Sequence, residues 1–110
     1  MNNVNLVGRL TKDPELRSAR DSDIATLIVA TDRPKLRDGK TYKDDSGFTA
    51  KETEFHKVTC FNGLARAVSS NRKKGDLVAI EGRLHYTRWQ DAEGRDRYGC
   101  DIIAERVEFY

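Results

Sequence analysis

Only one segment of this chain, between Asn62 and Gly75, has the apolar spacing and the boundary residues of a helix. The other apolar runs alternate with period two or are β-branched throughout. Val4–Leu10 places Val4, Leu6, Gly8 and Leu10 on one face, and Asp13-Pro14 follows as a break. A charged stretch then leads to Ile24–Thr31, which is apolar on both faces and so needs cover on both, from the core and from a helix or a partner chain. Glu54–Phe61 reads as a third strand. Asn62 is placed to cap a short helix with Leu64, Ala65 and Val68 on its apolar face. Asp76–Trp89 is a long fourth strand, Asp91–Asp96 a turn with Gly94 available for positive φ, and Arg97–Phe109 the returning fifth strand.

Five strands with one short helix between the third and fourth is the order of an all-β, Greek-key OB-fold barrel with a long hairpin between strands 4 and 5. The 110 residues fit one domain, 1–110, and no stretch approaches the ~18 apolar residues of a membrane span. Residues 32–53 hold Pro34, Gly39 and Gly47 among alternating charges, the pattern of a long, mobile loop or an irregular hairpin. Lys and Arg total 20 against 18 Asp and Glu, and a net charge of +2 singles out no partner. The Met1-Asn2-Asn3-Val4 start lacks a secretion signal, and two cysteines are too few for a disulfide scaffold.

The strongest local pattern lies on the third strand. Phe55, Lys57, Thr59 and Phe61 share one face, and His56, Val58 and Cys60 share the other. If Val58 and Cys60 supply the core, two aromatic rings face outward beside a cation, an arrangement suited to stacked bases and a tracked phosphate backbone. The same alternation also allows a flipped strand with both rings in the core. Trp89 shares a face with Arg83, His85 and Thr87 near the tip of the hairpin and adjoins Arg88, where there is little core to join. Tyr86 and Tyr98 flank the hairpin and suit cross-strand packing. The loop cations Arg33, Lys35, Arg37, Lys40, Lys43 and Lys51 are nearly balanced by acids, yet as a group they are placed to close over a nucleic-acid strand. Arg72, Lys73 and Lys74 form the one uncompensated basic run, which also suits the end of a helix.

Catalytic and metal patterns are missing. His56 and Cys60 sit ~13 Å apart on a strand, too far to share an ion. The chain has no Cys-x-x-Cys, no phosphate-binding loop ending in Gly-Lys-Ser/Thr and no Gly-x-Ser-x-Gly elbow. The expectation is a protein without enzymatic activity, metal or cofactor.

Several segments then resemble bacterial single-stranded DNA-binding proteins of the single-OB-fold type. They are Asn3-Val-Asn-Leu-Val-Gly-Arg-Leu-Thr-Lys-Asp-Pro-Glu-Leu-Arg17, Thr53-Glu-Phe-His-Lys-Val-Thr-Cys-Phe61, Lys74-Gly-Asp76, Val78-Ala-Ile-Glu-Gly-Arg-Leu84 and Trp89-Gln-Asp-Ala-Glu-Gly-Arg-Asp-Arg-Tyr98. The resemblance implies outward phenylalanines. It also implies sequence-independent binding and protection of single-stranded DNA in replication, recombination and repair, in the bacterial cytoplasm and nucleoid. The family's stacking aromatics fall on Phe55, Phe61 and Trp89, and its basic positions on Lys57, Arg88 and Lys74. Lys73, Arg83, Arg33 and Lys35 join the expected DNA-binding set, while His56 and Asn5 are expected at a subunit interface. A homotetramer is expected, with a dimer as the alternative.

The chain also departs from the family. Phe55 stands where tryptophan is common and Gly63 where lysine is. An aromatic expected soon after Ala30-Thr31 is replaced by Pro34, Lys35 and Leu36. Family members usually continue into a flexible tail ending in an acidic, apolar-tipped peptide that recruits replication and repair enzymes, whereas this chain stops at Tyr110. That ending implies a DNA-binding core or a natural tail-less paralogue, such as a plasmid, phage or accessory form. The alternative function is a tail-less OB-fold module of primosome and replication restart, acting mainly through protein–protein contacts.

Overall fold

A computed structural model describes residues 1–110. Eight strands and one helix follow in the order β1 (Val4–Leu10), β2 (Glu15–Ser18), β3 (Asp23–Pro34), β4 (Leu36–Arg37), β5 (Lys40–Thr41), β6 (Lys51–Phe61), α1 (Asn62–Asn71), β7 (Leu77–Gln90) and β8 (Asp96–Phe109). The sheet runs β1-β7-β8-β6-β3-β2, and Arg9 and Leu10 of β1 pair back with Ala30 and Val29 of β3. That pairing closes β1, β3, β6, β8 and β7 into a five-stranded barrel. All its ladders are antiparallel except β6–β8, where Val58 and Thr59 run parallel beside Ile102 and Ile103. The fold is the OB barrel expected from the element order, with the helix inserted before β7.

Alternation along each strand explains the core. Ala25, Leu27 and Val29 of β3, Val58 and Cys60 of β6, Val78 and Ile80 of β7, and Ile102 and Ala104 of β8 point inward and are buried. Ala65 and Val68 of α1 join the same cluster, with Leu64 partly buried against it. Burial without a charged partner pushes the Cys60 thiol up to about 11, so it stays neutral and behaves as a small apolar side chain. Gly8 and Gly82 are required by close approach. A Cβ at Gly8 would overlap the carbonyl oxygen of Ala30, and one at Gly82 that of Ile103. Gly82 also sits at the bulge where the β7–β8 register shifts.

Of the two forms expected for residues 32–53, the structure has the irregular hairpin: β3 and β6 remain paired out to Pro34 and Lys51, and the rest folds back in two steps. Asp38 (φ 54) and Gly39 (φ 78) make the first turn, the Asp-Gly pair that a two-residue hairpin with both central φ positive favours. One expectation is corrected: Asn62 does not cap α1. The N-cap is Phe61, without a side-chain hydrogen bond, and Asn62 takes φ 54 while its Oδ1 accepts from the Asp23 amide at 3.3 Å. The helix ends at Asn71, before Gly75 as expected, with the Arg72 amide bonded to the Val68 carbonyl.

The short strand β2 was not visible in the sequence. All four of its residues are exposed, so it shows no apolar period, and it exists by backbone pairing with Asp23–Thr26 of β3. Asp23 fastens that corner. It accepts hydrogen bonds from Arg66 at 2.8 Å and Ser18 at 2.9 Å, which hold its carboxyl below the usual carboxylate range.

Candidate nucleic-acid interface

The register of the barrel decides which side chains share its outer surface. On β6 the inward positions are Val58 and Cys60, so Phe55, Lys57, Thr59 and Phe61 face out. Phe55 is 67% exposed and Phe61 41%, which excludes the flipped strand. Phe61 lies opposite Ile24 of β3, Lys57 opposite Ile28, and Phe55 opposite Ala30. These neighbours are half-buried and give the rings an apolar footing.

The same face continues across β8 onto β7. Thr59 neighbours Ile103, which in turn neighbours Arg83. Lys57 reaches Asp101 at 3.8 Å, and Asp101 lies opposite His85. Thr87 faces Gly99, and Trp89 faces Arg97. Trp89 is 50% exposed, with its ring lying back over the bare backbone of Gly99, where a Cβ would come within 3.1 Å of the ring and 2.9 Å of Thr87 Oγ1. Gly99 is therefore the seat of the Trp89 ring, a position the sequence pattern did not mark; its register opposite Thr87 is the signal for it. The surface thus presents Phe55, Phe61 and Trp89 as half-open rings, with Lys57, Arg83 and Arg97 between or beside them. The Lys57–Asp101 pair is half exposed and therefore weak, so the ammonium is free to exchange its carboxylate for a phosphate.

The sequence model of the single-strand binding protein family matches residues 1–110. The chain belongs to that family. It is 36% identical over 110 residues to single-stranded DNA-binding protein 1 of Xylella fastidiosa (strain 9a5c), covering 98% of this chain and 76% of that protein. It is 38% identical over 108 residues to the single-stranded DNA-binding protein of Rhizobium meliloti (strain 1021), covering 96% of this chain and 58% of that protein. The fold is similar, with a TM-score of 0.78 and 25% identity, to the crystal structure of a deletion mutant of the single-stranded DNA binding protein from Thermus aquaticus, covering all of this chain and 50% of that one. The chain thus spans between half and about three quarters of the length of these three proteins.

In this family member Arg88, Arg33, Lys73 and Lys74 lie away from the aromatic face. Arg88 projects from the opposite side of β7, where it holds Asp96 at 2.7 Å and lies 5.9 Å from the centre of the Tyr98 ring. Tyr86 is on that side too, opposite Cys100, so the two tyrosines are diagonal neighbours rather than a cross-strand pair. Arg33 is spent between Glu52 at 3.7 Å and Glu54 at 3.6 Å, on the side of the β3–β6 ribbon away from Phe55. Lys35 donates its amide to the Ala50 carbonyl beyond the end of β3. Lys73 and Lys74 occupy the turn before β7, where their amides donate to Asp76 and Asp13, each at 2.8 Å. Roughly 40 Å of strand separates that turn from Trp89.

The two residues expected at a subunit interface are also apart. Asn5 is exposed on β1 opposite Glu81, and His56 is half-buried on the inward side of β6, with Nε2 2.8 Å from Thr31 Oγ1. No three His, Cys, Asp or Glu side chains are grouped to hold a metal ion, and no helix is long and apolar enough to cross a membrane.

Proposed function

We propose that this protein binds single-stranded DNA without sequence preference, and so protects it during replication, recombination and repair in the bacterial cytoplasm. One observation carries the reading: Phe55, Phe61 and Trp89 stand half-open on one continuous outer face together with Lys57 and Arg83. Each ring offers a π-face to any base, at about 1–3 kcal/mol per stacked base, and the cations meet phosphates whatever the sequence. The names of the Xylella, Rhizobium and Thermus proteins agree with this reading.

Trp89 is the only tryptophan, so its emission reports on the site directly. Titration with a long oligothymidine quenches that emission to a stoichiometric end point at low salt, and the affinity falls as salt rises through counterion release. A folded protein whose emission does not change at low salt contradicts the assignment of Trp89.

The oligomer belongs to the same proposal. β1 pairs with β7 along Val4–Arg9 but with β3 only at Arg9 and Leu10, which leaves the other edge of Val4–Gly8 open. Val7 is 61% exposed there, beside Asn5 and Ala79. An open edge next to exposed apolar side chains suits pairing with a second copy of the chain. The reading is a homotetramer, so light scattering gives ~50 kDa, and a monomer mass contradicts it.

A further inference from the structure

Resting on that reading, we infer that Asp101 sets the preference of this face for single-stranded over duplex DNA. Its carboxylate keeps phosphates off the middle of the face, where a single strand brings bases and a duplex brings phosphates. Three observations support it. The first is its place. Asp101 lies in a row across three strands, beside Lys57 of β6 at 3.8 Å and opposite His85 of β7. Along β8 the next positions on the same face are Gly99, the seat of the Trp89 ring, and Ile103, each ~7 Å away. Asp101 is the only acid among the outward positions of β6 from Phe55 to Phe61, of β7 from Arg83 to Trp89 and of β8 from Arg97 to Ile103.

The second observation is that the fold does not use this carboxylate. Aspartate is disfavoured inside a strand, and the other strand aspartates compensate by accepting hydrogen bonds. Asp23 accepts from Arg66 at 2.8 Å, Asp32 from Thr53 at 2.6 Å and Asp96 from Arg88 at 2.7 Å. The Asp101 carboxylate accepts none, and its one partner, the Lys57 ammonium, stands beyond hydrogen-bond distance. Its charge therefore acts on what approaches the face.

The third observation is the asymmetry of the pair. Lys57 is 54% exposed on a flexible four-carbon stem and can swing to a phosphate at the margin of the face. Asp101, short and 27% exposed, stays where it is. With Lys57 withdrawn, a fixed negative charge stands beside the Trp89 seat. A base is neutral and stacks there undisturbed, with its backbone turned to the margin. A phosphate in the same place meets like charge, a penalty of about fivefold for charges about 4 Å apart in water. A duplex holds its bases stacked inside and presents its phosphates, so the penalty falls on it.

Binding of a labelled duplex and of a labelled oligothymidine of the same length, followed by anisotropy at low salt, tests this in the wild type, Asp101→Asn and Asp101→Glu. Asp101→Asn binds the duplex about fivefold more tightly and changes its affinity for oligothymidine by less than about twofold, so the preference for the single strand falls. Asp101→Glu keeps the charge and keeps the wild-type preference. The melting midpoint of Asp101→Asn stays at the wild-type value, since the carboxylate accepts no hydrogen bond and its ion pair is partly exposed and weak. A mere rise in net charge tightens both ligands alike. A duplex that gains nothing from Asp101→Asn, or no more than oligothymidine gains, overturns the role of Asp101 and leaves the stacking face standing. Wild-type protein that binds no oligothymidine overturns both.

Discussion

Replacing Phe55 and Phe61 together by alanine lowers the affinity for oligothymidine by on the order of 2 kcal/mol or more, about thirtyfold, while the protein stays folded. Both halves of that result follow from where the rings stand. Phe55 is 67% exposed and contributes little burial to the barrel. Phe61 is 41% exposed and rests on Ile24, so its truncation carries a modest stability cost. Their inward neighbours behave in the opposite way. Val58 and Leu27 are 0% exposed, and Leu27→Ala costs roughly 2–5 kcal/mol of stability through the cavity it leaves. A double phenylalanine variant that unfolds, or one that binds like the wild type, contradicts the outward stacking role.

Gly82→Ala adds a single methyl group and has a large expected effect on the fold. The added Cβ meets the backbone of β8: it overlaps the carbonyl oxygen of Ile103 and comes to 3.1 Å from the Cα of Ala104. A backbone oxygen in a ladder cannot swing aside as a side-chain tip can. The strands must part at the bulge beside Arg83 and Ile103, which are aligned on the face that carries the exposed rings. Overpacking of this kind costs about 1–3 kcal/mol, and for a domain near this size each kcal/mol lowers the midpoint by roughly 4–8 °C. Calorimetry of Gly82→Ala beside Gly94→Ala reads the difference. Gly94 has φ 79 and open space around it, so its substitution carries only the local backbone strain of about 1 kcal/mol. Equal midpoints for Gly82→Ala and the wild type would show that the barrel does not need the close approach.

These two residue sets mark what the sequence made legible. The alternation of Val58 and Cys60 against Phe55 and Phe61 places the strand and its faces, because a half-buried strand has only two ways to lie. The apolar cores of β1, β3, β7 and β8 are readable for the same reason. The outer parts of β3 and β6 are not, because their ladder continues through polar pairs such as Asp32 with Thr53, bonded at 2.6 Å, and Arg33 with Glu52. Such pairs have no hydrophobic period to read. Asn62 illustrates a different limit. Its residue type suits a cap, but a contact with Asp23, 39 positions away in the chain, decides its conformation. The site divides in the same way. Residues on one strand face, Phe55, Lys57 and Phe61 or Arg83 and Trp89, follow from parity. Arg88 is adjacent to Trp89 in sequence and for that reason faces away from it.

The central claim is that one face of the β6–β8–β7 surface holds the bases. Photocrosslinking with a halogenated oligothymidine, followed by mass spectrometric mapping of the adducts, reads that face directly. The account predicts adducts at Phe55, Phe61 and Trp89. Adducts confined to Tyr86 and Tyr98, on the reverse of the hairpin, would contradict it.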